Sequence, residues 1–133
     1  MRQFHLEIVT PDGLIFEGSA ESILVRAGSG DIEIMAGHAD YFATLGIGRA
    51  KLVADGKSRE ASTAGGFISV KGGDVKLVCT TLEFAEDIDL MRAEAAKIRA
   101  EEAMRRAAND KELAVAKAKL ERALNRINVA NLR

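Results

Sequence analysis

Polar and apolar residues alternate over Phe4-His5-Leu6-Glu7-Ile8-Val9, the period-two pattern of a half-buried strand, and Pro11-Asp12-Gly13 then turns the chain. Similar short runs follow. Leu14-Ile15-Phe16 leads to Glu17-Gly18, Ser22-Ile23-Leu24-Val25-Arg26 runs into Gly28-Ser29-Gly30, and a looser stretch surrounds Gly37-His38. Arg49 to Val53 precedes the turn Asp55-Gly56, while Phe67 to Val70 and Val75 to Cys79 flank Gly72-Gly73-Asp74, which predicts a hairpin. Many short strands with turns at this spacing predict a β-sandwich or barrel.

Past residue 85 the period changes. Ala93, Ala96, Ala100, Ala103 and Ala107 recur at alternating spacings of three and four, as do Leu113, Ala116, Leu120, Ala123, Ile127 and Ala130. That spacing places each set on one face of a helix. Ala108-Asn109-Asp110 interrupts the pattern, and Asn109 with Glu112 three residues later fits a capping-box helix start. The prediction is two helices joined by a short antiparallel connection. The fold class is therefore α+β, an N-terminal antiparallel β-sandwich over residues 1–84 followed by a two-helix antiparallel hairpin over residues 85–133.

Composition sharpens that boundary. All 12 Gly lie between Gly13 and Gly73, every aromatic residue lies at or before Phe84, and the one proline is Pro11. From Glu86 to Arg133, 12 of the 48 residues are Ala and charges are dense. Small side chains let helices approach closely but bury little apolar surface, at about 25 cal/mol per Å². Their helix propensity keeps each helix formed while the pair is weakly cemented, so the hairpin is expected to open or re-dock without melting.

Lys and Arg number 19 against 20 Asp and Glu, for a net charge of −1, so the balance points neither to nucleic acid nor to disorder. A single cysteine, Cys79, excludes an internal disulfide and sits beside Leu77 and Val78 as a small buried hydrophobe would. No segment approaches the roughly 20 apolar residues that cross a bilayer. A soluble chain is expected, reaching a membrane only through a partner. No Cys-x-x-Cys or His-x-x-x-His metal spacing and no phosphate-cradling Gly-x-x-x-x-Gly-Lys-Ser/Thr loop occurs. The pattern points to no catalytic residue, no metal and no required cofactor.

One polar group remains, Asp89, Arg92 and Arg99 on the first predicted helix with Arg122 and Arg126 on the second. Asp89 and Arg92 are spaced i,i+3 and Arg122 and Arg126 i,i+4, so each pair shares a face. An antiparallel hairpin brings both pairs to the same end. Spacing alone leaves two readings: converging guanidinium groups that hold a polyphosphate, or a solvated face whose ion pairs contribute at most about 1 kcal/mol each.

Across nearly its whole length the sequence resembles the ε subunits of F-type ATP synthases of bacteria and chloroplasts, equivalent to the mitochondrial δ subunit. The resemblance is carried by Leu6-Glu7-Ile8-Val9-Thr10-Pro11-Asp12-Gly13 with Phe16-Glu17-Gly18, by Gly37-His38-Ala39 of the family's Pro-Gly-His-Ala-Pro segment, and by Gly65-Gly66-Phe67 with Val70. Ile88-Asp89-Leu90-Met91-Arg92-Ala93 matches its Ile/Leu-Asp-x-x-Arg-Ala motif. Ala36 and Asp40 replace the two prolines, and Glu33 stands where the family often has Gly.

The resemblance implies a non-catalytic rotor subunit at the cytoplasmic face of the bacterial inner membrane, peripheral and held there through the complex. Its sandwich would bind the γ subunit and the c-ring, with Asp31 towards the c-ring and His38 towards γ. Its hairpin would fold down on the sandwich or extend towards the catalytic α and β subunits and inhibit ATP hydrolysis. It further implies ATP as a regulatory ligand at Asp89, Arg92, Arg99, Arg122 and Arg126. Two other function classes compete with this reading: a stand-alone nucleotide-binding sensor, and an adaptor with a helical dimerisation arm.

Overall fold

A computed structural model describes residues 2–133. The first strands, β1 (Phe4–Thr10) and β2 (Gly13–Ala20), form an antiparallel hairpin across Pro11-Asp12. A register shift between Ile8 and Val9, which pair with Phe16 and Leu14, leaves Ile15 as the extra residue of a bulge. Hairpin β3 (Ser22–Ala27) and β4 (Gly30–Met35) follows, then β5 (Tyr41–Thr44), β6 (Gly48–Ala54), β7 (Lys57–Lys71) and β8 (Asp74–Phe84). The sheet runs β2-β1-β8-β7-β6-β3-β4, with β5 also on β7. β1 pairs with β8 in parallel, whereas the other pairings are antiparallel.

Two turns follow from backbone conformation. Asp55-Gly56 and Gly72-Gly73 each connect paired strands in two residues, all four with positive φ, as the turn matched to strand twist requires. The sheet becomes a sandwich because β7 changes neighbours along its length. It pairs β6 through Lys57–Thr63 and β5 through Phe67–Val70. Between the two segments stand Gly65 and Gly66, at φ +70° and +106°. A Cβ on Gly66 would lie 1.8 Å from the Val78 carbonyl oxygen of the paired strand, so only glycine lets the two backbones approach there.

Alternation fills the inside. Leu6 and Ile8 of β1, Ile23 and Val25 of β3, Ile68 and Val70 of β7 and Leu77 and Cys79 of β8 are buried in one cluster. Each such aliphatic side chain stabilises the fold by roughly 1.5–3 kcal/mol. The structure departs from the sequence pattern: β4 and β5 form where no strand is predicted, and β8 runs past Cys79 to Phe84. β2 continues past Glu17-Gly18 to Ala20, and β7 begins at Lys57, ten residues before the apolar run Phe67 to Val70. The early part of β7 reads Lys-Ser-Arg-Glu-Ala-Ser-Thr-Ala, yet Ala61, Ser62 and Thr63 are buried. Ala61 and Thr63 share one face and Ser62 the other, so both faces are covered here by small or hydroxylic residues. The Thr63 hydroxyl donates to the Gly48 carbonyl, which satisfies it.

The chain divides into compact units Met1–Phe84 and Ala85–Arg133. The second holds a 3₁₀ turn (Ala85–Asp87), α1 (Leu90–Arg106) and α2 (Asp110–Ala130). Asp89 caps α1, its Oδ1 accepting the Arg92 N–H at 3.1 Å. Asn109 caps α2, accepting the Glu112 N–H at 2.9 Å, while Glu112 Oε2 reaches back to the Ala108 N–H at 2.8 Å. This is the expected capping box, with the return bond made one residue earlier. Ala93, Ala100, Ala116 and Ala123 are buried, but Ala103 is exposed, at an open groove beside the seam. At the open end Val129 and Ala130 pack on Ala85 and Ile88. There Arg133 donates to the carbonyls of Ala85 and Ile88 at 3.3 and 2.9 Å.

Candidate functional site

On α2, Arg122 and Arg126 project one turn apart from the same side, and antiparallel pairing sets Arg99 of α1 across from them. Alanines at 96, 100, 103 and 123 floor the space between and are too small to fill it, which leaves a groove of about 410 Å³. Arg99, Lys119, Arg122 and Arg126 are the charged residues of its lining. The structure thus gathers Arg99, Arg122 and Arg126. Lys119 joins them; its spacing of three from Arg122 and seven from Arg126 is the signal that could have found it.

Asp89 and Arg92 are not among the lining residues. Arg92 precedes Arg99 by seven residues, about 10 Å along the helix axis. The Asp89 carboxylate is already used as the α1 cap, an interaction typically contributing about 1 kcal/mol. The groove's chemistry is cationic and planar: guanidinium groups in rigid forks over an apolar floor suit the oxygens of a phosphate chain.

Asp31 and His38 lie on the strand unit. Asp31 sits opposite Arg26 in the β3–β4 register and forms an ion pair with it at 3.3 Å, both side chains half exposed. The Arg26 stem lies over Gly48, where a Cβ would come within 2.3 Å of the Arg26 Cβ. Gly48 therefore leaves room for the arginine that holds Asp31. His38 lies beyond the other end of β4, after Gly37 at φ +84°. Its Nδ1 is 2.7 Å from the Ala39 carbonyl, which makes that nitrogen the donor, and its ring meets Tyr41 edge to face at 5.9 Å. Asp31 stands near the start of β4 and His38 past its far end, beyond a turn that the His38 N–H closes on the Met35 carbonyl at 3.2 Å, so they belong to two places on the surface.

Near His38 in the chain, Met35 is 54% and Phe42 63% exposed, and Phe42 stacks on Phe67 at 5.3 Å. Sequence reasoning missed both residues, because a strand pattern does not say which alternate residue faces out. Among the described residues no group of His, Cys, Asp or Glu is gathered to hold a metal ion. Cys79 is buried, and that burial pushes its thiol up to about 12 from 9.0. No helix among the described residues is long and apolar enough to cross a membrane.

Comparison with known proteins bears on both units. The β-sandwich domain of the ATP synthase delta/epsilon chain matches residues 3–85, and its long α-helix domain matches residues 86–131. The ATP synthase epsilon chain of Bacillus velezensis is 40% identical over 130 residues, covering 98% of each chain. Among solved structures, a chain of the Euglena gracilis mitochondrial ATP synthase, in a structure of its OSCP, F1 and c-ring, superposes with a TM-score of 0.84. It is 22% identical, with 98% of this chain and 82% of that one covered. A chain from the central stalk and c-ring of the Tetrahymena thermophila mitochondrial ATP synthase gives a TM-score of 0.66 at 11% identity, with 97% of both covered. At those identities the two structures speak to the fold alone.

Proposed function

The chain belongs to the ATP synthase delta/epsilon chain family, and from that premise we propose that it is a non-catalytic central-stalk subunit of an F-type ATP synthase. Residues 1–84 couple the c-ring to the γ subunit, and residues 85–133 are a switch that regulates ATP hydrolysis. The observation that carries this reading is that one chain holds a strand unit and a helical unit, each matched by its own domain of the family.

Asp31 faces the c-ring in this reading, and His38 faces γ together with the exposed Met35 and Phe42. Apolar side chains this exposed gain free energy when a partner covers them. The helical unit reaches the catalytic α and β subunits when extended. Its seam of alanines supports such a movement, because little apolar surface must be given up to open it. The chain meets the membrane only through the complex, at the cytoplasmic face of the bacterial inner membrane. Tagged chain recovered from native membranes carries γ and c subunits with it; recovery of neither would remove the rotor assignment.

ATP is the regulatory ligand of the switch, its phosphates on Arg99, Arg122 and Arg126 and its remainder directed along α1 towards Arg92 and Asp89. Isothermal titration of the full chain should show ATP binding that Arg122→Ala or Arg126→Ala weakens at least tenfold. Binding indifferent to both changes would dismiss this site.

A further inference from the structure

The three-arginine groove does not end at Arg99. A second groove of about 840 Å³ begins there, sharing Arg99, Ala103 and Lys119 with the first and adding Arg106, Lys111 and Glu112 among its lining residues. The two make one channel along a single flank of the hairpin. From Arg126 to Lys111 the α2 residues of this flank span 15 positions, about 22 Å of helix axis, and Arg106 stands about 10 Å beyond Arg99 on α1.

The channel's charge is one-sided. Arg99, Arg106, Lys111, Lys119, Arg122 and Arg126 line it, against the carboxylates of Glu102 and Glu112. Glu112 already accepts the Ala108 N–H. Among the described residues, no carboxylate stands within ion-pair distance of Arg99, Arg106, Lys119 or Arg122. Like charges aligned along a groove repel one another and raise the local concentration of an anion. A triphosphate on Arg99, Arg122 and Arg126 answers only the proximal half and leaves Arg106 and Lys111 of the distal lining without an anion.

We propose that this flank of the hairpin is an extended site for a linear phosphate chain longer than three units, inorganic polyphosphate or the tail of a nucleoside polyphosphate. The inference rests on the phosphate chemistry of the proximal cluster but not on recognition of a base. Fork-shaped guanidinium groups at the proximal end pair bidentately with phosphate oxygens, and a phosphate chain presents a charge on every unit of one short backbone, more densely than the carboxylates of an acidic peptide. Single-stranded nucleic acid is disfavoured because its sites stack bases on aromatic rings, and no aromatic residue occurs after Phe84.

The test is titration of the full chain at fixed ionic strength with ATP, inorganic tripolyphosphate and a polyphosphate of about ten units. The long chain should bind at least tenfold tighter per molecule than tripolyphosphate. The double change Arg106→Ala, Lys111→Ala touches only the distal lining, and it should erase that advantage while leaving tripolyphosphate affinity and helix content by circular dichroism unchanged. An unchanged length advantage in the double variant overturns the proposal, as does equal affinity of long and short chains. So does binding of oligoglutamate or oligothymidylate of matched charge as tightly as polyphosphate. If ATP fails to bind but the length advantage appears and depends on Arg106 and Lys111, the nucleotide reading falls and the extended site stands.

Discussion

Cys79 shows how one side chain is set by its place in the sheet. It occupies an inward position of β8, opposite Gly66, with no exposed surface. Burial raises its pKa from 9.0 to about 12 because the thiolate would have to form away from water. The sign for stability follows. Below pH 9 the thiol is protonated whether the chain is folded or unfolded and contributes no pH dependence; between about 9 and 12 only the unfolded chain releases the proton. Folding stability should therefore fall as pH rises through that window, at up to about 1.4 kcal/mol per pH unit from this group. Urea titrations of the chain and of Cys79→Ala at pH 8 and pH 10.5 measure it, the variant losing less stability on going to the higher pH. A thiol reagent at pH 8 should leave the folded chain unlabelled.

At the scale of elements, the sequence announced itself where one residue type had one physical job. Asn109 and Glu112 were legible as a helix start because few side chains reach orphan backbone donors, and Gly72-Gly73 as a turn because few residues take positive φ twice. Asn109→Ala should lower the stability of the helical unit by about 1 kcal/mol, read as faster amide exchange in the first turn of α2 with the strand unit unaltered. The first half of β7 was illegible for the opposite reason. Its buried residues, Ala61 and Thr63 on one face and Ser62 on the other, are small or hydroxylic, and their burial depends on long-range neighbours in β6 and β8. The arginine cluster was half legible: i,i+4 spacing aligned Arg122 with Arg126, but which α1 residue faces them depends on how the helices cross. That geometry selects Arg99 for the groove lining rather than Arg92.

For the whole molecule, two units of unlike composition imply two unlike stabilities. Leucine, isoleucine and valine dominate the core of the strand unit, whereas alanines form the seam of the helical one. By the area each buries, the helices should separate at lower free energy than the sandwich unfolds. A chain ended at Phe84 should keep its strand signal and unfold in one cooperative step, whereas loss of that cooperativity would show that the sandwich needs the helical unit to fold. Hydrogen exchange on the full chain should likewise find the hairpin protected less than β1, β7 and β8.

Tyr41, edge to face with His38, is the one tyrosine in a chain without tryptophan. The molecule therefore carries an optical label that it was not given by an experimenter. Emission excited near 280 nm originates beside the loop after β4, while the helical unit is dark at that wavelength and governs the circular dichroism near 222 nm. The two units can be followed by separate colours of light in the unmodified protein. A change in tyrosine emission on adding a partner then locates that partner's influence on the strand unit, with no dye attached.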